Sequence, residues 1–108
     1  MSISLLALQR GKPTESGRIL PIASESVFDL YWAPAAEALS LEWIPLFRTG
    51  LPVQPEDVGD ILDELRILRE RIGSLGGDAA EVMLPRIDQL IAELRAIGAD
   101  PNLELYIG

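Results

Sequence analysis

The sequence predicts an α+β domain in which a small sheet of N- and C-terminal strands is covered by three helices. Three observations lead to this prediction: a short apolar run at residues 2–9, strict apolar alternation at 103–107, and two apolar stripes at helical spacing over about 55–72 and 79–97. The two stripes indicate an antiparallel helix pair. The length of 108 residues fits one domain, here 1–108.

The N-terminal region predicts a β-hairpin. Residues 2–9 are followed by a turn-rich stretch and then by a second short run at 18–23 that contains Pro21. Because proline cannot donate a hydrogen bond to a β-ladder, Pro21 indicates an edge strand. The successive apolar positions from Ile3 to Leu8 predict burial on both faces of the first strand.

A first helix is predicted near Ser24, since Ser24 or Ser26 can serve as its N-cap. Its apolar positions are Val27, Phe28, Tyr31 and Trp32. Pro34 should end or kink this helix, or open a new one from its first turn. Residues 40–54 combine two prolines and a glycine with large apolar side chains, which predicts an extended, ordered connector.

The helix over 55–72 has the clearest pattern. Pro55, Glu56 and Asp57 suit a first helical turn, and Gly73 is expected to stop the helix. Its apolar stripe is Val58, Ile61, Leu62, Leu65, Leu68 and Ile72.

The next helix, over 79–97, follows a loop of about five residues. Asp78 and Glu81 have capping-box spacing at its start, and Pro85 implies a kink or a restart. Its apolar stripe is Met83, Ile87, Leu90, Ile91, Leu94 and Ile97.

The composition excludes several kinds of chemistry. The chain has no cysteine and no histidine, which rules out disulfides, thiolate nucleophiles and the commonest general base and metal ligand. A net charge of −8 argues against nucleic acid or an anionic membrane as a direct partner. We see no signal peptide and no membrane span, and therefore expect a cytoplasmic protein.

The negative charge is concentrated in one segment. Residues 24–65 hold nine acidic side chains and one basic side chain, and five of the six aromatic residues lie between positions 28 and 47. Aromatic anchors beside charge of one sign are typical of a protein-binding surface. The alternative interpretation places the aromatic residues in the core and the acidic residues on a solvated face.

Five carboxylates at the start of the helix over 55–72 are candidates for partner binding. Glu56, Asp60 and Glu64 recur every four residues and share one face of the helix. Like charges one turn apart weaken a helix slightly, so a binding role would explain why they are tolerated. Two aromatic residues before the helix are candidate anchors. The complete candidate set is Glu56, Asp57, Asp60, Asp63, Glu64, Trp43 and Phe47.

Carboxylates on this helix could also hold Mg²⁺ or Mn²⁺, which prefer oxygen ligands. The candidate ligands are Glu56, Asp60, Asp63 and Glu64. A metal-dependent hydrolase would need a second acidic helix facing the first, whereas Glu81, Asp88 and Glu93 lie off the apolar stripe of the next helix and would face water. We therefore expect no catalytic residue, no cofactor and no metal, with the hydrolase kept as an alternative.

A mixed pattern of residues within 18–72 carries a resemblance to a known class. Its members are Val27, Phe28, Trp32, Pro34, the run Trp43–Phe47 and Asp63-Glu64-Leu65. In these positions the chain resembles small bacterial immunity proteins of polymorphic or contact-dependent toxin systems. The resemblance implies a single-domain cytosolic protein that neutralises a cognate toxin, with an acidic surface against a basic nuclease site.

The leading hypothesis is a non-catalytic inhibitor that binds a basic toxin domain through its acidic surface. Electrostatic steering makes such a surface effective in fast association. One alternative is a homo-oligomeric structural or adaptor module, in which exposed apolar helix or strand edges build a homodimer. The other is the Mg²⁺- or Mn²⁺-dependent hydrolase.

Overall fold

Four strands form one antiparallel sheet in the order β2-β1-β4-β3. The computed structural model describes residues 2–11 and 17–108. The strands are β1 (Ser2–Gln9), β2 (Arg18–Ser24), β3 (Leu51–Val53) and β4 (Leu103–Ile107). The N- and C-terminal strands are therefore neighbours, and helices complete the α+β fold that the sequence predicts. Part of the predicted turn, residues 12–16, lies outside the described residues.

The strand register gives the sheet a covered face and an open face. Leu5 pairs with Ile107 and Ala7 with Leu105, and all four side chains are buried beneath the helices. Leu6 lies between them in β1 and points to the other side, where it is only half-buried, as is Leu8. The prediction that β1 is buried on both faces is wrong, because the described helices form a single layer.

The first helical run continues from Glu25 to Ala38 without a break. It consists of α1 (Glu25–Val27), a π-helical turn (Phe28–Trp32) and α2 (Ala33–Ala38). The Ser24 hydroxyl caps it, as expected, by accepting the Val27 N–H at 3.1 Å. Pro34 does not end the helix. A proline lacks an N–H and crowds the carbonyl four residues earlier, and here the preceding turn widens to the π-helical pattern.

The predicted connector at 40–54 contains regular structure. A 3₁₀ helix covers Ile44–Arg48, and β3 follows within three residues. The strand pairs Leu51 with Ile107 and Val53 with Leu105 at the edge of the sheet. A three-residue strand with proline at its centre has no periodicity to detect, which explains why the sequence did not predict it.

Two long helices supply about half of the buried apolar residues of the core. After a 3₁₀ turn (Pro55–Asp57), α3 spans Val58–Leu75 and α4 spans Gly77–Ile97. The buried residues of both helices are the predicted stripes. The predicted stop at Gly73 is wrong, because a glycine within a helix costs only about 1 kcal/mol, which a six-residue apolar stripe outweighs.

The turn between α3 and α4 is tighter than predicted. It consists of Gly76 alone, with φ at +66° where a glycine is favoured. The expected capping box at Asp78 does not form, because α4 already begins at Gly77. Pro85 lies inside α4 without interrupting it, and the carbonyl that it leaves unbonded belongs to Glu81, an exposed position that water can reach.

Replacement of two glycines by alanine should have opposite effects on stability. In Gly50→Ala, φ of +105° is strained for alanine, and the new Cβ collides with the Tyr106 hydroxyl. We expect a loss of about 1–3 kcal/mol in the free energy of unfolding. In Gly59→Ala, no atom beyond the adjacent helix backbone lies within 4 Å of the new Cβ, and the helix should gain up to about 1 kcal/mol. Urea denaturation measures the free energy of unfolding of both variants. Effects of the same sign would contradict the conformations described at Gly50 and Gly59.

Candidate functional site

The carboxylate of Glu64 is an internal hydrogen-bond acceptor. It accepts the backbone N–H groups of Glu42 at 2.9 Å, Trp43 at 2.9 Å and Ile44 at 3.1 Å. These donors lie at the start of the 3₁₀ helix Ile44–Arg48, where the first N–H groups have no partner within the helix. Glu64 therefore joins α3 to this segment, and its carboxylate has an internal role that the sequence prediction did not include.

A second acidic candidate also serves local structure. The Asp57 carboxylate accepts the Gln54 N–H at 3.1 Å and closes a capping box at the 3₁₀ turn before α3. Of the five predicted carboxylates, three remain exposed without a backbone partner in the described residues: Glu56, Asp60 and Asp63.

The two predicted aromatic anchors lie in different environments. Phe47 has an exposed fraction of 0% and belongs to the core, which removes it from any surface. Residues three apart share one side of a 3₁₀ helix, so Ile44 and Phe47 both point inward. Leu46 is 44% exposed in the same turn, and Trp43 is half-buried. Trp43 and Leu46 are therefore the apolar side chains that this segment presents to solvent.

The outward side of α3 carries a stripe of acidic residues around an exposed isoleucine. Asp60, Asp63, Ile67 and Glu70 follow the spacing i, i+3, i+7 and i+10, which places them on one side of the helix, opposite the buried stripe. Ile67 is 47% exposed. We call this surface, together with Glu56 in the preceding turn, the acidic face. Ile67 was not among the predicted residues. The sequence signal that marks it is an apolar residue half a turn away from the apolar stripe.

The acidic face carries more negative than positive charge, although Arg71 lies on the same side of α3, four residues after Ile67. Asp63 pairs with Arg66 at 3.2 Å, but both side chains are about half exposed or more, where such a pair contributes little. In the described part of the chain, Glu56, Asp60 and Glu70 have no salt bridge.

The one basic residue between 24 and 65 is engaged elsewhere. Arg48 bonds Asp29 at 3.0 Å and lies 3.4 Å from Glu25. The hydrogen bond to Asp29 and the charges of Asp29 and Glu25 raise the pKa of Arg48 above its ordinary value. Arg48 therefore neutralises the start of the first helical run and has no salt bridge to the acidic face.

A basic groove of about 400 Å³ borders this face between α3 and α4. Arg66 and Arg69 line it from α3, and Arg95 and Asp88 line it from α4. Asp88 accepts a hydrogen bond from Arg69, and this bond raises the pKa of Arg69. The negative potential therefore belongs to the outward side of α3, and the flank of α3 that faces α4 is positive.

Acidic side chains do not gather at one point among residues 2–11 and 17–108. No three acidic side chains in that part lie close enough together to hold an ion, so the predicted hydrolase ligands do not form a cluster. None of the described helices is both long and apolar enough to cross a bilayer. Comparison with models of known protein families, with curated proteins and with solved structures finds no match.

Removal of the Glu64 carboxylate should destabilise the fold. Glu64→Ala leaves three backbone N–H groups without their charged acceptor, and we expect a loss of about 2–3 kcal/mol in the free energy of unfolding. Glu64→Gln retains one acceptor oxygen and should lose less. Asp63→Ala is the matched control, expected within about 0.5 kcal/mol of wild type because its salt bridge is exposed. Urea denaturation that ranks Glu64→Ala with the control would contradict the role of Glu64.

Proposed function

We propose that this chain is a non-catalytic inhibitor that neutralises a cognate toxin domain by binding it through the acidic face. The observation that supports the proposal is the exposed stripe of Asp60, Asp63 and Glu70 around Ile67. The class of partner, a bacterial toxin, comes from the resemblance of residues 18–72 to immunity proteins. We place the encounter in the cytoplasm, as that resemblance implies.

The charges on this face suit a basic protein partner. An excess of carboxylates over basic side chains on one surface attracts positive charge, and such steering raises association rates by about 10–1000-fold at low salt. The same field repels nucleic acid phosphates and anionic lipid headgroups, so neither is proposed as a direct partner. Arg66 lies 3.2 Å from Asp63 and offsets that charge at longer range, so the steering field comes mainly from Glu56, Asp60 and Glu70.

Apolar side chains on or beside the acidic face would slow dissociation of the complex. Ile67 lies between Asp63 and Glu70 on the outward side of α3, and Trp43 adjoins the same helix through the Glu64 carboxylate. A partner that covers them would remove apolar area from water, and residues of this type near the centre of an interface dominate the binding free energy. The acidic residues around them would set association rate and orientation.

Reversing the charge of this face should slow binding. We expect the triple variant Glu56→Lys, Asp60→Lys, Asp63→Lys to associate at least about tenfold more slowly at low salt with the toxin domain encoded by the neighbouring open reading frame. Stopped-flow association rates at low and high salt measure the effect. The salt dependence should also flatten, because the steering charges are gone.

The matched control reverses three exposed acidic residues away from this face. Glu37→Lys, Asp78→Lys, Glu81→Lys produces the same change in net charge, and none of the three has a salt bridge in the described residues. We expect this variant to retain most of the wild-type rate. Equal slowing of both variants would assign the effect to net charge, and wild-type rates for the face variant would exclude the acidic face as the binding surface.

A further inference from the structure

The face of the sheet that the helices leave uncovered is apolar and nearly neutral. Its residues, by register, are Ser4, Leu6, Leu8, Ile19, Pro21, Pro52, Glu104 and Tyr106. Arg10, just beyond β1, joins them through its salt bridge to Glu104, and we call this surface the open face. Ile19 is 70% exposed and Tyr106 is 40% exposed. A surface of large apolar side chains across a sheet normally packs against something.

One apolar row crosses all four strands. Leu6 pairs with Ile19 on one side and with Tyr106 on the other, and Tyr106 pairs with Pro52. The row therefore runs from the β2 edge to the β3 edge at one height along the strands. It begins at the projecting Ile19 and ends at a groove of about 300 Å³, whose lining includes Leu8, Pro52 and Tyr106.

The edges of the sheet are protected, unlike this face. Pro21 in β2 and Pro52 in β3 remove backbone donors from the two edge strands. A register irregularity in β1 opposite β2 distorts that side further, and Arg86 of α4 donates a hydrogen bond to the Pro21 carbonyl at 3.4 Å. Association by strand addition at the sheet edges is therefore disfavoured, whereas packing through the open face is not hindered in this way.

The open face is nearly neutral, and this favours a second copy of the chain over a basic protein as its partner. Among the described residues the open face holds one basic and one acidic side chain, Arg10 and Glu104, which pair at 3.2 Å. A chain of net charge −8 therefore carries its excess negative charge elsewhere, mostly on the helices. A basic partner gains nothing from a neutral surface, whereas two copies that meet here keep their acidic helices pointing apart.

We propose that two copies pack open face to open face, with a two-fold axis running parallel to the strands. This axis places β2 of one copy over β3 of the other, so each Ile19 meets the groove beside Pro52 and Tyr106 of its partner. The projecting side chain and the groove then appear twice in one isologous interface, as two-fold symmetry requires. The inference is independent of toxin binding, because the acidic face lies on the helix layer.

The small area of the open face indicates a weak dimer. Strands about 4.8 Å apart with a rise of about 3.3 Å per residue give a four-stranded face of roughly 20 Å by 20 Å, or about 400 Å² per copy. A standard interface buries about 800 Å² per partner. The dimer is therefore weak, with a dissociation constant on the order of 10–100 µM.

Sedimentation of the full chain between about 5 and 500 µM tests the dimer, with these limits chosen to bracket the expected dissociation constant. The average mass should rise from 11.8 kDa toward twice that value, and more steeply at high salt, which screens repulsion between the acidic helices.

Ile19→Lys should weaken association at least about tenfold although it makes the chain less acidic, whereas Leu75→Lys, at a 61% exposed position on α3, should not. A monomer throughout, masses beyond the dimer, or equal effects of the two variants would overturn the proposal.

Cysteine cross-linking tests the geometry directly, because the chain has no cysteine of its own. A mixture of Ile19→Cys and Pro52→Cys should be linked between the two variants by a bis-maleimide reagent that spans about 10 Å, the spacing of sheets packed face to face. Ile19→Cys alone should not, since the two copies of residue 19 would lie about 17 Å apart, three strand spacings along the sheet and one sheet spacing across it. Cross-linking of Ile19→Cys alone at the same yield, or with Leu75→Cys as readily as with Pro52→Cys, would exclude this two-fold arrangement.

Discussion

The hydrogen bonds between Glu64 and the backbone at residues 42–44 hold the middle of this protein together. Their carboxylate lies on α3, while the donors begin the 3₁₀ helix that inserts Ile44 and Phe47 into the core. Because that helix leads within three residues to β3, one contact fixes the segment, the third strand and the edge of the sheet relative to α3. A charged acceptor with three donors tolerates little displacement, since each donor would otherwise lose a charge-assisted hydrogen bond.

The long elements could be predicted from the sequence because each buries a continuous pattern. The stripes of α3 and α4, the alternation of β4 and the apolar run of β1 all persist over enough residues to outweigh local exceptions. Gly73 is one such exception, since its cost is small beside the packing of the whole stripe. The strand β3 could not be predicted, because its position follows from tertiary contacts of a segment that has no periodicity of its own.

The candidate site was only partly predictable for a related reason. Helical spacing correctly placed Asp60 and Asp63 toward solvent, since their side of α3 lies away from the apolar stripe. It could not show that Glu64 bonds residues 20 to 22 positions earlier in the chain, because that pairing exists only after folding. Phe47 was misplaced because a 3₁₀ turn, in which every third residue shares a side, turns Leu46 outward in its place.

The two layers of the fold separate the surface into parts with different physical properties. The helix layer carries most of the negative charge and is suited to attracting a basic protein, whereas the open face of the sheet is neutral and apolar. Charge on the helices opposes association of two copies in every orientation that brings those helices together, and it opposes sheet-to-sheet packing least. Because the open face is small, pairing through it would remain reversible, and the acidic face would be exposed in both the monomer and the dimer. The proposed basic partner and the proposed second copy would therefore contact different residues and would not compete with each other.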